Sequence, residues 1–163
     1  MNVTGSLAYL ATPYTKYPTG PHGAFFDASR LAGRLILAGV NVYSPIAHTH
    51  PIGLYSGMDV LDLKIWLPFD ELMMERCDTL IVAQMCGWGE SSGIAHEIKV
   101  FERARKPIFD LDPLTLKMAK RQNGDDYQIG LTDDEIQRIA DRAELHRIAL
   151  TGNGPSKFER FGT

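Results

Sequence analysis

CDTLIVAQMCGWGESSGIAHEIKVFERARKP, residues 77–107, decides the fold. Thr79 to Ala83 is β-branched and apolar throughout, as a strand covered on both faces must be. The loop Gln84 to Glu90 holds Gly-Trp-Gly. Ser91 or Ser92 then offers a hydroxyl to cap a helix that runs to about Arg105. Lys106 to Phe109 returns as the next strand. Strand, helix and strand in that order read as parallel strands joined by a crossover helix.

Reading outward, the same alternation recurs upstream. Leu7 to Ala11 is a short apolar run that ends in Thr-Pro-Tyr and reads as the first strand. The loop Thr12 to Gly23 is rich in Pro, Gly and Tyr. From Ala24 to Ala38 the residues Phe25, Ala28, Leu31, Ala32, Leu35 and Ala38 share one helical face. Gly39 stops that helix. Val40 to Tyr43 is the second strand, Pro45 breaks it, and a second loop is expected over Ser44 to Met58. Met58 to Cys77 reads as mostly helical, with a kink at Pro68. The expected fold is therefore α/β, a Rossmann-like or flavodoxin-like three-layer sandwich around a parallel sheet of 4–5 strands.

The last third differs. Asp110 to Gly130 is polar and irregular, with a short helix expected around Leu114 to Lys120. Thr132-Asp-Asp-Glu135 is a capping box that opens a helix through about Leu150. Residues 1–163 read as a single domain, with a core over 7–110 and a C-terminal extension over 111–163.

The chain has 163 residues, 44% hydrophobic and 23% charged, and a net charge of −3. Without a basic run, a nucleic-acid polymer is not an expected partner, because phosphate backbones demand clustered Lys and Arg. No run of about 20 apolar residues is present, so a membrane span is not expected. The N-terminus lacks signal-peptide features. Cys77 and Cys86 have no metal-type spacing and read as reduced thiols, which points to the cytoplasm.

In such sheets ligands sit beyond the carboxyl ends of the strands. The three long loops there are the expected pocket. Glu97 lies in the second turn of the helix after the third strand. The helix N-terminus favours a carboxylate by about 0.3–1 kcal/mol, which would keep Glu97 ionised. Taken alone, it reads as a solvated helix glutamate.

Six segments, in order, carry a resemblance: YLATPY (9–14), AGVNVYSPIAHTHPI (38–52), WLPFD (66–70), CDTLIV (77–82), GWGESSGIAHEI (87–98) and KPI (106–108). Together they resemble the nucleoside 2-deoxyribosyltransferase superfamily, closest to a domain-of-unknown-function branch with SPI-H-HP and GW-S-G-E patterns. The resemblance implies cleavage of an N-glycosidic bond of a nucleoside or nucleoside 5′-monophosphate, by hydrolysis or base exchange. It makes Glu97 the nucleophile, Asp70 the group that serves the departing base, and Tyr9 the residue that orients the nucleophile. It implies no cofactor and no metal, and it implies assembly as a homodimer or larger homo-oligomer.

Where the nucleoside-using transferases have a sugar-binding aspartate, this sequence has Ser91. A serine hydroxyl can donate to a 5′-phosphate that an aspartate would repel, as can the amides of Ser92 and Gly93 at a helix N-terminus. Ser91 is equally suited to be a helix cap. Trp88 is expected to stack on the base or cover the rim. Trp66 is expected to pack. Tyr14, Thr15, Lys16 and His22 follow the first strand, where sugar or phosphate contacts arise; the default reading of all four is solvated loop residues. His48 and His50, taken as alternate residues of an extended segment, are expected to contact base or phosphate. The alternatives for that pair are simple loop packing and a metal-dependent hydrolase, and for the fold a non-catalytic nucleotide-binding sensor.

Overall fold

The computed structural model describes residues 6–121, 126–127 and the isolated positions 134, 137, 138 and 141. The elements in chain order are β1 (Leu7–Ala11), α1 (Gly20–Leu37), β2 (Asn41–Tyr43), α2 (Pro45–Ser56), α3 (Leu63–Arg76), β3 (Thr79–Ala83), α4 (Ser92–Arg103), β4 (Ile108–Leu111), β5 (Met118–Lys120) and β6 (Asp126–Tyr127). A single 3₁₀ turn, Trp88–Glu90, separates β3 from α4.

The strands form one sheet in the order β2-β1-β3-β4-β5-β6. β1 pairs parallel with β2 (Leu7 opposite Asn41) and with β3 (Ala8 opposite Thr79), and β3 pairs parallel with β4 (Leu80 opposite Ile108). All five residues of β3 are buried, as its composition requires of a strand covered on both faces. Tyr9, Ala11, Leu80, Val82 and Ile108 form one face of the sheet and pack with Met74 and Cys77, at the end of α3, and with Ile94 and Phe101 of α4. Ala8, Leu10 and Ile81 alternate to the other face. The buried stripe of α1 is Ala24, Ala28, Leu31, Ala32 and Leu35, at helical spacing. The architecture is the expected three-layer α/β sandwich.

Two local expectations are corrected. The loop expected after β2 is the helix α2. Ser44 caps it by accepting from the Ala47 amide at 3.3 Å, Pro45 occupies its first turn and Gly57 ends it in the left-handed region at φ 75°. Pro45 thus ends the strand and starts a helix, where its fixed φ and missing N–H cost nothing. The helix expected around Leu114 to Lys120 is instead a turn followed by β5. Asp112 accepts from the Leu114 amide and the Thr115 hydroxyl, both at 2.8 Å, and these bonds reverse the chain. β5 then pairs antiparallel with β4 (Phe109 opposite Lys120), and β6 pairs antiparallel with β5. The sheet therefore has four parallel strands plus an antiparallel edge.

Met1–Gly130 and Leu131–Thr163 are separate compact units. The helix expected from Thr132 to Leu150 lies mostly outside the described residues. At its described positions the Gln137 amide donates to Asp141 Oδ1 at 2.7 Å, an (i, i+4) pair.

The parallel order β2-β1-β3-β4 has a consequence for position. From β1 the chain crosses to one side to form β2, then returns past β1 to form β3. The crevice beyond the carboxyl ends of β1 and β3 is the topological switch point, the place where such sheets bind ligands.

Candidate active site

Tyr9 is fully buried in β1, with its ring 6.1 Å from that of Phe101 and 5.7 Å from that of Tyr43. Above it runs α4. Ser91 is the N-cap of this helix, its hydroxyl accepting from the Ile94 amide at 3.3 Å. Six residues on, Glu97 shares a helix face with Gly93 and Phe101, at spacings of four. Phe101 anchors that face in the core, so Glu97 is turned towards the sheet. The Tyr9 hydroxyl donates to Glu97 Oε1 at 3.2 Å.

The other carboxylate oxygen, Glu97 Oε2, is shut off from solvent and has no hydrogen-bond partner among the described residues. Asp70 Oδ1, from α3, is in the same condition. Burial pushes Glu97 up from 4.5 to about 8; the bond from Tyr9 pulls it down and the charge of Asp70 pushes it further up. Burial raises Asp70 from 3.8 to about 6. Tyr9 is held well above the usual phenol value by burial and by the charges of Glu97 and Asp70. The expectation that the helix N-terminus keeps Glu97 ionised is therefore corrected. Desolvation outweighs the small helix-dipole contribution, and near neutrality Glu97 holds a proton.

Both carboxyls line a cavity of about 480 Å³ at the switch point. The loop after β1 contributes Thr12 to Lys16, and the first turns of α2 contribute Pro45, Ile46 and Thr49. From α3 come Leu63, Trp66, Leu67, Asp70 and Met74, with Val60 and Leu61 just before. The start of α4 supplies Ser91, Ser92 and Gly93, beside Glu90. Lys16 is the sole Lys or Arg of this lining. Because Ser91 uses a lone pair of its hydroxyl oxygen for capping, its own O–H remains available to donate. Capping and ligand contact are thus compatible in this residue.

Glu97, Asp70, Tyr9, Ser91, Ser92, Gly93, Tyr14 and Lys16 are all gathered here. Trp88, His48 and His50 are not among the lining residues. Trp88 packs against the core with the Arg121 guanidinium 5.9 Å over its ring. His48 and His50 are corrected on geometry. On a helix, residues two apart point away from each other, and the two rings separate accordingly. His48 stacks on Phe69 at 5.6 Å, whereas His50 stacks on Phe25 at 4.8 Å. A shared metal between them is not supported by this arrangement, and no group of three candidate ligands occurs among the described residues.

Trp66, expected only to pack, also lines the cavity. It precedes Asp70 by one helical turn, and Met74 follows by another, so one stripe of α3 lines the cavity. The indole N–H donates to the Asp59 carbonyl at 2.8 Å. Gly53 makes room for the ring, because a Cβ there would sit 3.1 Å from Trp66 Cζ2 and 2.6 Å from Val60 Cγ1.

Fold and site define a flavodoxin-like α/β protein with a buried tyrosine and two half-buried carboxyls at its switch-point crevice. The chain belongs to the family described as Domain of unknown function (DUF1937), whose model matches residues 6–112. That span runs from β1 through β4 and contains every site residue named above. No curated protein matches the chain. No helix among the described residues is long and apolar enough to cross a membrane.

Proposed function

We propose that this protein cleaves the N-glycosidic bond of a nucleoside or a nucleoside 5′-monophosphate through a covalent glycosyl–Glu97 intermediate. The observation that carries the reading is the pair of unpartnered buried oxygens, Glu97 Oε2 and Asp70 Oδ1, on one cavity, with Tyr9 fixing the other Glu97 oxygen. Buried polar atoms without partners are costly, and a cavity that holds two of them is built for a ligand that supplies the missing bonds.

The two carboxyls share one proton near neutrality and titrate as a pair. In the reactive arrangement the proton sits on Asp70. Glu97 attacks C1′ as the bond from C1′ to the base nitrogen breaks, and Asp70 gives its proton to the departing base. Positive charge developing at the sugar favours the Glu97 anion, which moves the proton to where the reaction needs it. Water then attacks C1′, returns a proton to Asp70 and frees Glu97. A second base in place of water gives transfer. A 5′-phosphate fits the amides of Ser92 and Gly93, the Ser91 hydroxyl and Lys16.

The reading places the protein in a reducing compartment, the cytoplasm, in keeping with two free cysteines, one of them exposed. It includes self-association, in keeping with exposed Leu54, Tyr55, Leu63 and Leu72 on α2 and α3. The test is a panel of nucleosides and 5′-monophosphates scored for free base by chromatography, with and without an acceptor base, on wild type and Glu97→Ala. Base release that depends on Glu97 is expected. Tight nucleotide binding with no base release would point to a sensor.

A further inference from the structure

The cavity has a second tyrosine whose hydroxyl is engaged from behind. Tyr14 lines the cavity, and its hydroxyl oxygen lies 2.6 Å from His50 Nδ1. His50 itself is buried, stacked on Phe25 and edge-on to Tyr14, with the His22 ring 5.8 Å away. Its Nε2 is buried and has no hydrogen-bond partner among the described residues. Burial, then the charge of His22, lowers its pKa, so the imidazole is neutral at physiological pH.

A neutral imidazole has one N–H, and the two tautomers differ in consequence. With the proton on Nε2, a buried N–H has no acceptor, and the Tyr14 O–H is used up on Nδ1. With the proton on Nδ1, the ring donates to Tyr14, the unpartnered atom is a lone pair, and the phenolic O–H is free. Orphaned buried N–H groups are the rarer of the two defects. Burial and the charge of Asp59 hold Tyr14 protonated, with a pKa up to about 12.

We propose that His50 is a positioning residue that donates from Nδ1 to Tyr14 and thereby fixes the Tyr14 hydroxyl as a hydrogen-bond donor into the cavity. Its target is an sp² acceptor, a carbonyl oxygen or ring nitrogen, on the heteroaromatic group of the bound molecule. The assignment of that group as the departing base rests on the function proposed above. The arrangement selects bases by whether they present an acceptor at this point, because a site built around a donor rejects an analogue lacking the matching atom.

Nitrogen NMR of imidazole-¹⁵N-labelled protein, with His50→Asn to assign the signal, reads the tautomer without any need for activity. A proton on Nδ1 is expected, and a proton on Nε2 overturns the proposal. In base-release assays Tyr14→Phe should lose about tenfold in kcat/KM on a base with the acceptor, and nothing on the deaza analogue in which that atom is C–H. His50→Asn places an amide N–H where Nδ1 was and should behave like wild type, while His50→Leu should behave like Tyr14→Phe. Equal loss on both bases, or no loss in His50→Leu, counts against the relay. If wild type releases no base at all, the glycosidic reading fails, and the tautomer still decides the relay.

Discussion

α2 and α4 start alike and serve the cavity in opposite ways. Each follows a strand directly or after a loop, and each is capped by a serine, Ser44 or Ser91, accepting from the third amide at 3.3 Å. Each carries a titratable residue at its sixth position, His50 or Glu97, bonded to a tyrosine from β1 or its following loop. Each of those residues keeps one buried atom without a partner, His50 Nε2 or Glu97 Oε2. The difference is whether the helix residue faces the ligand. In α4 it lines the cavity, beside a buried tyrosine that lines it too. In α2 the tyrosine lines the cavity and the helix residue lies behind it. Equivalent positions on equivalent helices therefore predict an interacting pair, and burial decides which partner meets substrate.

The largest expected effect lies at Glu97. Glu97→Gln keeps the shape and the bond from Tyr9 but cannot form the glycosyl ester, so base release should fall by about 10³-fold or more. The same substitution should change stability in the opposite sense. The folded-state pKa of Glu97 is raised from 4.5 to about 8. Its contribution to stability is complete below about 4.5 and is lost as pH rises through about 8, because the unfolded chain ionises first. Glu97→Gln should therefore unfold at higher denaturant than wild type above pH 8, by on the order of 3 kcal/mol. Wild-type activity in the variant would remove Glu97 from the chemistry and reduce α4 to the structural role of α2.

Asp70→Asn comes next. Loss of a general acid costs about 10²–10⁴-fold. The loss should disappear on a substrate whose leaving group is already a pyridinium, since that base departs without a proton. Turnover of the two substrate types, compared in one variant, separates proton delivery from mere cavity shape. A uniform loss would leave Asp70 a structural carboxyl.

A smaller and more selective effect is expected at Ser91. Aspartate caps helices as well as serine, so Ser91→Asp should preserve α4. Its charge should oppose a phosphate, lowering kcat/KM for 5′-monophosphates by about 10–100-fold and sparing the free nucleosides. Equal effects on both would take the phosphate away from this end of the cavity.

How much of this was legible depends on the kind of signal. The β1, β3 and α4 segments were readable because burial on both faces leaves a continuous apolar run, and because Ser91 sits where a cap must. Glu97, Asp70 and Tyr9 came together only through the resemblance; spacing alone could not show that a residue in β1 lies under one in α4. α2 was misread because Ser44-Pro45 ends one element and begins another, and two prolines within seven residues mask the helix. That misreading carried His48 and His50 with it, since a strand aligns alternate residues and a helix parts them. Trp66 reads as a packing residue from its place on a helix, and its place in the cavity lining follows only from standing one turn before Asp70. The ionisation of Glu97 was out of reach, because desolvation depends on neighbours far apart in sequence.

Tyr9→Phe tests the comparison at its finest point. Phenylalanine fills the same buried space against Phe101 and Tyr43, so the core should tolerate it. What disappears is the one bond that pulls the Glu97 pKa down. Activity follows the one-proton form of the pair, so the alkaline limb of kcat/KM, where Glu97 gives up the last proton, should then move to higher pH. Activity should fall about tenfold near pH 7, and the profiles of variant and wild type should converge at alkaline pH as both decline. Tyr14→Phe should lose activity with no such movement, because its partner is an imidazole outside the reacting carboxyl pair. If both variants shift the limb, or neither does, the two tyrosines are not the opposite members of two like pairs.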